Sequence, residues 1–424
     1  MDIQVDQSPS GGECRTFLSR LKAVAGYPMD MVLIKIATFD GTSLREYKLP
    51  FSEQLLLDTS SFLSALVMKI LALLLPVASF TLAHPSSPKP LSWEITPTNS
   101  QQQFRGLSPV NEKVVWISGT NGTVLRTTDS GSTWTNVSPK FAATENASDF
   151  QFRDIQAFSR TTAVTLSIGE GNLSRIYITS DGGKNWKRTF VNEEETAFYD
   201  CMSFETRKGR ESHGVAMSDP VQGKFRLLET WDGGVHWAIV SNNTMPPALE
   251  GEFGFAASGT CIEAAAGRWY LATGGVDPGR IFYTTSPSVS HGWQVANSSI
   301  AGGAAAGVFS VRFRDTRHGI AVGGDYEQPT ASNNTAAWSS DGGANWHKAD
   351  SFPSGYRSGV SWIPGRRQVA VAVGTSGSDF TIDGGRNWAG IANGTFDAVE
   401  CVRKDICWAS GSGGRVARLH LRGF

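Results

Sequence analysis

The chain has 424 residues, 18% of them charged, and 38 Lys+Arg against 39 Asp+Glu leave a formal charge of -1. Glycine contributes 46 residues, about 11% where ~7% is usual, and there are 13 tryptophans. So many aromatics exclude a disordered polymer, and the balanced charge excludes the basic footprint of a general nucleic-acid binder.

No tryptophan precedes Trp93, which sets the first part of the chain apart. An apolar run covers 62–83, interrupted by Lys69. Read from Met1, it has the ~20 residues of a membrane-spanning signal anchor. Read from Met68, it is a secretory signal over 68–83, with a cationic start at Met68-Lys69 and an apolar centre at 70–78. Thr81 and Ala83 then supply the small residues before a cleavage site. We adopt the second reading. Residues 1–67 become an upstream extension expected to be disordered, 84–91 a linker, and 92–424 the folded domain. The mature protein is expected outside the cell, without a membrane segment.

Two features agree with secretion. Asn-x-Ser/Thr sequons occur at Asn121, Asn136, Asn146, Asn172, Asn242, Asn297, Asn333 and Asn393. Apart from Cys14, four cysteines remain, an even number suited to an oxidising compartment. Cys401 and Cys407 flank a short connection, so Cys401–Cys407 with Cys201–Cys261 is the preferred pairing of the three available. Four buried free thiols are the alternative.

After Trp93 the sequence repeats. Thr127-Thr-Asp129-Ser-Gly131-Ser-Thr-Trp134 returns as Thr179-Ser-Asp181-Gly-Gly183-Lys-Asn-Trp186 and as Thr230-Trp-Asp232-Gly-Gly234-Val-His-Trp237. Ser339-Ser-Asp341-Gly-Gly343-Ala-Asn-Trp346 and Thr381-Ile-Asp383-Gly-Gly385-Arg-Asn-Trp388 follow, with a decayed copy from Thr284 to Trp293. This Asp-box reads as a hairpin turn: the carboxylate accepts backbone N–H groups, glycine takes positive φ, and tryptophan packs between sheets. One carboxylate per box is too few for a calcium loop.

A strand opening precedes each box: Phe104-Arg105, Phe152-Arg153, Tyr199-Asp200, Val308-Phe309, Tyr356-Arg357 and Phe396-Asp397, with a further strand fitting 253–262. Small-residue strands follow, such as those at 114–119, 214–218 and 319–324. Seven units of about 46 residues have the size of four-stranded propeller blades. The expected fold is all-β, a seven-bladed propeller in which residues 92–96 complete the last blade and remove an exposed edge. Six blades, with the weak fourth unit as an insertion, is the alternative.

These boxes and the segments Phe104-Arg-Gly-Leu-Ser108, Phe152-Arg-Asp-Ile155, Ser218-Asp-Pro-Val221, Gly323-Gly-Asp-Tyr326 and Gly355-Tyr-Arg-Ser358 resemble the single-propeller Asp-box (BNR-repeat) family. That family includes the photosystem II stability and assembly factors. The closer likeness is to a secreted branch loosely labelled as oxidoreductases or glycosyl hydrolases. The resemblance implies the fold and fixes no reaction. Phe104-Arg105 is superficially similar to the Phe-Arg-Ile-Pro segment of sialidases, but Gly106-Leu107-Ser108 departs from it and no Tyr/Glu nucleophile pair is identifiable.

In a propeller blade, inner-strand openings and second-strand ends share one face of the ring, opposite the Asp-boxes. That places Arg105, Arg153, Asp200, Glu252, Arg357 and Asp397 around one mouth, joined by Glu170, Asp219, Asp277, Asp325 and Tyr326. Either these charges neutralise one another around a wet channel, or they form a site. Three arginines could grip a carboxylate or phosphate, and paired acids with a tyrosine could hydrolyse a glycoside. The leading expectation is a monomeric, secreted propeller binding a glycan or protein ligand there without turnover, with no cofactor. A carbohydrate-active enzyme using the same mouth is the alternative. Asp200, Asp219 and Asp325 are hard oxygen donors that could take Ca²⁺. Zinc, redox and nucleotide motifs are absent from the sequence, and Gly169-Glu-Gly171-Asn-Leu-Ser174 lacks the third glycine of a dinucleotide fingerprint. His213 and His318, each before a Gly-Val/Ile-Ala strand, read as turn residues.

Amino-terminal sequencing of secreted protein is expected to start near His84; a membrane-retained product that keeps residues 1–67 would overturn the signal assignment.

Overall fold

Short runs of small and branched residues, Val115–Gly119, Ala163–Ile168, Gly319–Asp325 and Ala370–Gly374, are buried almost throughout because each is sandwiched between neighbouring sheets. The computed structural model describes residues 31–37, 44–50, 91–205 and 212–421. The chain divides into Met1–Ser87 and Pro88–Phe424. In the first unit, Met31–Ala37 pairs antiparallel with Leu44–Pro50. The signal segment 68–83, its apolar run and Cys14 lie outside the described residues. Among the described residues no helix is long and apolar enough to cross a membrane.

The second unit is a seven-bladed propeller of four-stranded antiparallel sheets. Blade 1 runs from Phe104–Pro109 to Thr135–Asn136, blade 2 from Gln151–Ala157 to Lys187–Val191, and blade 3 from Tyr199–Glu205 to Ala238–Ile239. Blade 4 runs from Ile262–Ala265 to Trp293–Asn297, blade 5 from Ala306–Phe313 to His347–Lys348, and blade 6 from Gly359–Trp362 to Ala389–Ile391. Blade 7 takes Ala398–Arg403, Ile406–Ser410 and Arg415–His420 from one end of the unit and Trp93–Pro97 from the other. The fourth repeat, weakest in sequence, is a complete blade, so the ring has seven blades and not six. Inner strands of consecutive blades pack on one another from blade 1 to blade 7 and back to blade 1.

Closure is a β-ladder. Trp93 lies opposite Leu419, Ile95 opposite Ala417 and Pro97 opposite Arg415. Trp93 is buried, with its ring 4.9 Å from that of Phe396. Cys401 and Cys407 are cross-strand partners in the same blade and form a disulfide with Cα atoms 3.9 Å apart. Cys201–Cys261 is the second disulfide, tying the inner strand of blade 3 to the entry of blade 4.

The boxes fold as their residue types dictate. Thr179 Oγ1 donates to Asp181 Oδ1 at 3.0 Å and accepts the Gly183 N–H at 2.9 Å, with Gly183 at φ +81°. The backbone N–H of Asn185, then its side chain, hold the Asp181 carboxyl at about 2. The same bonds recur around Asp129, Asp232, Asp341 and Asp383. Trp237, Trp346 and Trp388 each donate their indole N–H to the second glycine's carbonyl at 3.1 Å.

The expected strand 253–262 is not one. Only Ile262–Ala265 joins the sheet, and 253–261 is irregular apart from a bridge from Phe253 to Gly274. Gly259, at φ +73°, turns the chain where a Cβ would overlap the Asp154 carboxylate.

Trp93→Ala is expected to cost about 3–5 kcal/mol in denaturant unfolding, the usual penalty for emptying a buried aromatic site. An unchanged midpoint would show that the closing strand contributes little.

Candidate functional site

The segment 253–261 touches five other blades, so it lies across the axis. The Gly254 N–H donates to Asp219 Oδ1 at 2.7 Å in blade 3. Phe255 stacks on Phe309 of blade 5 at 3.7 Å. The Ala256 carbonyl accepts from Arg153 Nη1 at 3.0 Å and Arg105 Nη1 at 3.4 Å, in blades 2 and 1. Ser258 Oγ donates to the carbonyl of Ser358, leading into blade 6, at 2.7 Å, and Thr260 Oγ1 bonds Ser310 Oγ at 2.7 Å.

Around this segment sits a two-sided mouth. Its cationic side is Arg105 and Arg153, with Asp397 of blade 7 at 3.5 Å from Arg105 Nε and held by Gln103 Nε2 at 3.1 Å. Burial and the charge of Arg105 push Arg153 down to about 10. The buried Nε of Arg153 has no hydrogen-bond partner among the described residues, and Arg105 Nε has only its longer ion pair. Burial raises the Asp397 carboxyl against the opposing pull of Arg105. The other side is aromatic: Phe255, Phe309, and Tyr356, whose ring is 4.7 Å from Phe309, with Tyr326 at the rim 48% exposed.

Asp200 and Asp219 meet beneath Gly254. Asp200 is only 2% exposed, and burial, then the adjoining Asp219, raise its carboxyl well above the usual range. Burial brings Asp219 to about 6, opposed by the Gly254 N–H. The two carboxyls interact, so their titration belongs to the pair and not to either residue alone.

Other expected mouth residues lie elsewhere. Arg357 is fully buried inside blade 6, bonded to Asp379 Oδ2 at 2.6 Å, Ser354 Oγ at 2.7 Å and the Tyr356 carbonyl at 2.6 Å. Its pair is out of step by one residue with Phe104-Arg105 and Phe152-Arg153, so Tyr356 faces the mouth and the guanidinium turns into the blade. Glu252 is buried against Arg280 Nε at 2.9 Å and Thr273 Oγ1 at 2.6 Å, an internal ion pair of blade 4. Glu170 is exposed ahead of a short 3₁₀ turn, Asp325 accepts the Glu327 N–H at 2.8 Å, and Asp277 accepts the Gly302 N–H at 2.9 Å. Asp325 thus does not join Asp200 and Asp219. Among the described residues no three His, Cys, Asp or Glu side chains group to hold a metal ion.

The histidines part company. His213 is buried, bonded to Glu229 Oε1 at 2.8 Å and stacked on Trp231, whereas His318 lies on the surface against Asp315. Seven sequon asparagines are exposed; Asn242 is half-buried, donating to the Phe225 carbonyl at 3.1 Å.

Sequence reasoning missed the channel beyond the crossing segment. Arg312 of blade 5 bridges Glu263 of blade 4 and Glu400 of blade 7, the latter at 2.7 Å. Beside them burial raises Asp154 to about 7, its Oδ2 accepting the Met202 N–H at 2.7 Å. A signal existed: Arg312, Glu263 and Glu400 each stand singly between apolar neighbours on an inner strand, as channel-facing positions of period two require, whereas Asp154 follows Arg153 directly.

A scan against protein-family profiles and a search of curated proteins found no match to the sequence. Solved structures do match. YCF48 bound to D1 peptide aligns with TM-score 0.51 and 16% identity over 77% of this chain and 96% of that one. YCF48 from Cyanidioschyzon merolae gives 0.53 and 14% over 78% and 100%, and the WD40 propeller domain of Doa1 0.50 and 10% over 78% and 98%. At such identities the likeness shows the fold alone.

The raised acids have a consequence for pH. Asp154 and Asp219 hold protons more tightly folded than unfolded, where the ordinary value is 3.8. Stability from these groups therefore declines as pH rises from about 4 through their folded values of about 6 and about 7, then levels off. Denaturant midpoints should be higher at pH 5 than at pH 8, and Asp154→Asn and Asp219→Asn should each shrink the difference. A gap unchanged in both variants would contradict the assignment.

Proposed function

We propose that this chain is a secreted, Asp-box type propeller that binds a carboxylate-bearing protein ligand at the Arg105–Arg153 mouth, without turnover. The observation that carries this reading is the pair of guanidinium groups from neighbouring blades converging on one backbone carbonyl. Two like charges that share one neutral acceptor, with an ion pair from Arg105 to Asp397, leave an excess of N–H donors. A ligand carboxylate would meet both groups and offset the burial that depresses Arg153. The aromatic side, ending at exposed Tyr326, would take the apolar part of a residue next to that carboxylate. The peptide bound to the similar YCF48 propeller supports a protein ligand.

An acidic glycan is the second reading, favoured by Tyr326, whose exposed ring could stack on a sugar. Glycoside hydrolysis, the reading from a different class, would draw on Asp200 and Asp219, a coupled pair with raised values of the kind that serves as general acid. Both lie under Gly254, so turnover would require the crossing segment to move aside.

Calorimetric titration with C-terminally amidated and free-carboxylate peptides tests the proposal. Arg105→Ala and Arg153→Ala should each weaken binding by about 2 kcal/mol or more, the range for losing one partner of a desolvated charged pair. Tyr326→Ala should weaken it less. Equal affinity for peptides with and without a carboxylate would defeat the reading, and release of reducing sugar from a polysaccharide, abolished by Asp219→Asn, would replace it with the enzyme.

A further inference from the structure

Outboard of the mouth, a cavity of about 550 Å³ opens between blades 6 and 7. Its walls include Ile95 on the closing strand, Ser376 and Ser378 in blade 6, and Arg415 at the start of the third strand of blade 7. No acid lines it. Asn393 and Thr395 line it too, and they are the first and last residues of the sequon Asn393-Gly394-Thr395. Of the eight sequon asparagines only Asn393 is part of this wall. It is exposed and stands at φ +60°, in the turn that leaves the last strand of blade 6.

The lining matches a sugar. Ser376 Oγ accepts from Arg357 Nη1 at 3.0 Å, which leaves its own proton to donate. Arg415 spends Nη1 on the Thr395 carbonyl, at 2.9 Å, and on the Thr395 hydroxyl. Its remaining guanidinium N–H groups have no hydrogen-bond partner among the described residues, and the group lies over the Phe396 ring at 5.9 Å. Ile391 and Ile95, the latter 51% exposed, offer the apolar surface that a pyranose face or an acetamido methyl group can cover. The volume falls within the range of small-ligand sites.

The cavity also sits on the seam of the ring. Ser92 bridges Ala392, whose N–H donates to the Leu91 carbonyl at 3.2 Å, and Gly394 packs close against the Trp93 indole. The two chain ends that close the propeller, paired in one sheet, therefore form one wall, and blade 6 with its exit turn forms the other.

We infer that a glycan linked to Asn393 folds back into this cavity, its amino-sugar residues seated against Ile95, Ser376 and Arg415, and braces the strand that closes the ring. The covalent link makes seating intramolecular, so contacts too weak to capture a free sugar suffice. This inference rests on the secretory reading of the sequons.

The test uses the full chain from a secretory host that attaches N-glycans. Native protein is digested with an endoglycosidase, and glycopeptide mass mapping follows each site with time. Release at Asn393 should be about tenfold slower than at exposed Asn121 and Asn146, as expected for a tethered ligand held in a site. After denaturation the rates should converge, and Arg415→Ala should speed native release at Asn393 alone. Asn393→Gln should quicken amide exchange in Trp93–Pro97, whereas Thr395→Ser, which keeps the sequon, should not. Equal native release rates would overturn the inference. So would a bare Asn393 in protein whose other sequons carry sugar. Protein with no sugar at any of the eight would instead contradict the secretory reading itself, and this inference with it.

Discussion

Everything at the mouth depends on the pairing of Trp93–Pro97 with Arg415–His420, which joins the two ends of the unit in one sheet. A propeller left open would present the backbone edge of its last blade to solvent and let the ring spread. Closed, it forces seven inner strands to begin at one face around one axis. Arg105 and Arg153 come from consecutive blades, yet both reach the carbonyl of Ala256, more than a hundred residues further along the chain. The site is a product of circular topology; no local stretch of sequence contains it.

Within the ring, a second constraint shapes the mouth. Channel-facing positions carry charges, and burying charges is unfavourable unless each finds a partner. The protein meets that demand with one irregular segment, 253–261, whose N–H and carbonyl groups serve Asp219 on one side and the two arginines on the other. Small residues let it pass close to the Asp154 carboxylate, and the Cys201–Cys261 disulfide fixes its far end to blade 3. Deeper in, Arg312 ties blades 4 and 7 through Glu263 and Glu400. The crossing segment thus both spans the channel and leaves the guanidinium pair with donors to spare.

Much of the architecture was legible because the Asp-box is a turn whose every residue has a local job, so it survives repetition in recognisable form. The spare strand at Trp93 followed from the count of units, and the cysteine pairing from the even number of cysteines and the short connection between Cys401 and Cys407. The site was less legible. Tyr356-Arg357 looked like Phe104-Arg105, but a shift of one residue exchanges the inward and outward side chains, and a pattern of residue types does not report that shift. Glu252 found a partner, Arg280, that only the folded blade brings near. The segment 253–262 read as a strand because the repeat calls for a strand opening there, while its glycines and its bonds to Arg105 and Arg153 decided otherwise. Arg312, Glu263 and Glu400 carried a period-two signal that single-strand reading could not connect across blades.

The most direct test of the central claim is hydrogen exchange on a chain shortened to begin at Thr98, which lacks the closing strand. If circular closure organises the mouth, amides of Arg415–His420 and of 253–261 will lose protection together, and affinity for a carboxylate ligand will fall with them. Protection of 253–261 equal to that of the full chain, with ligand binding intact, would show that the mouth forms without the closed ring and would contradict the account.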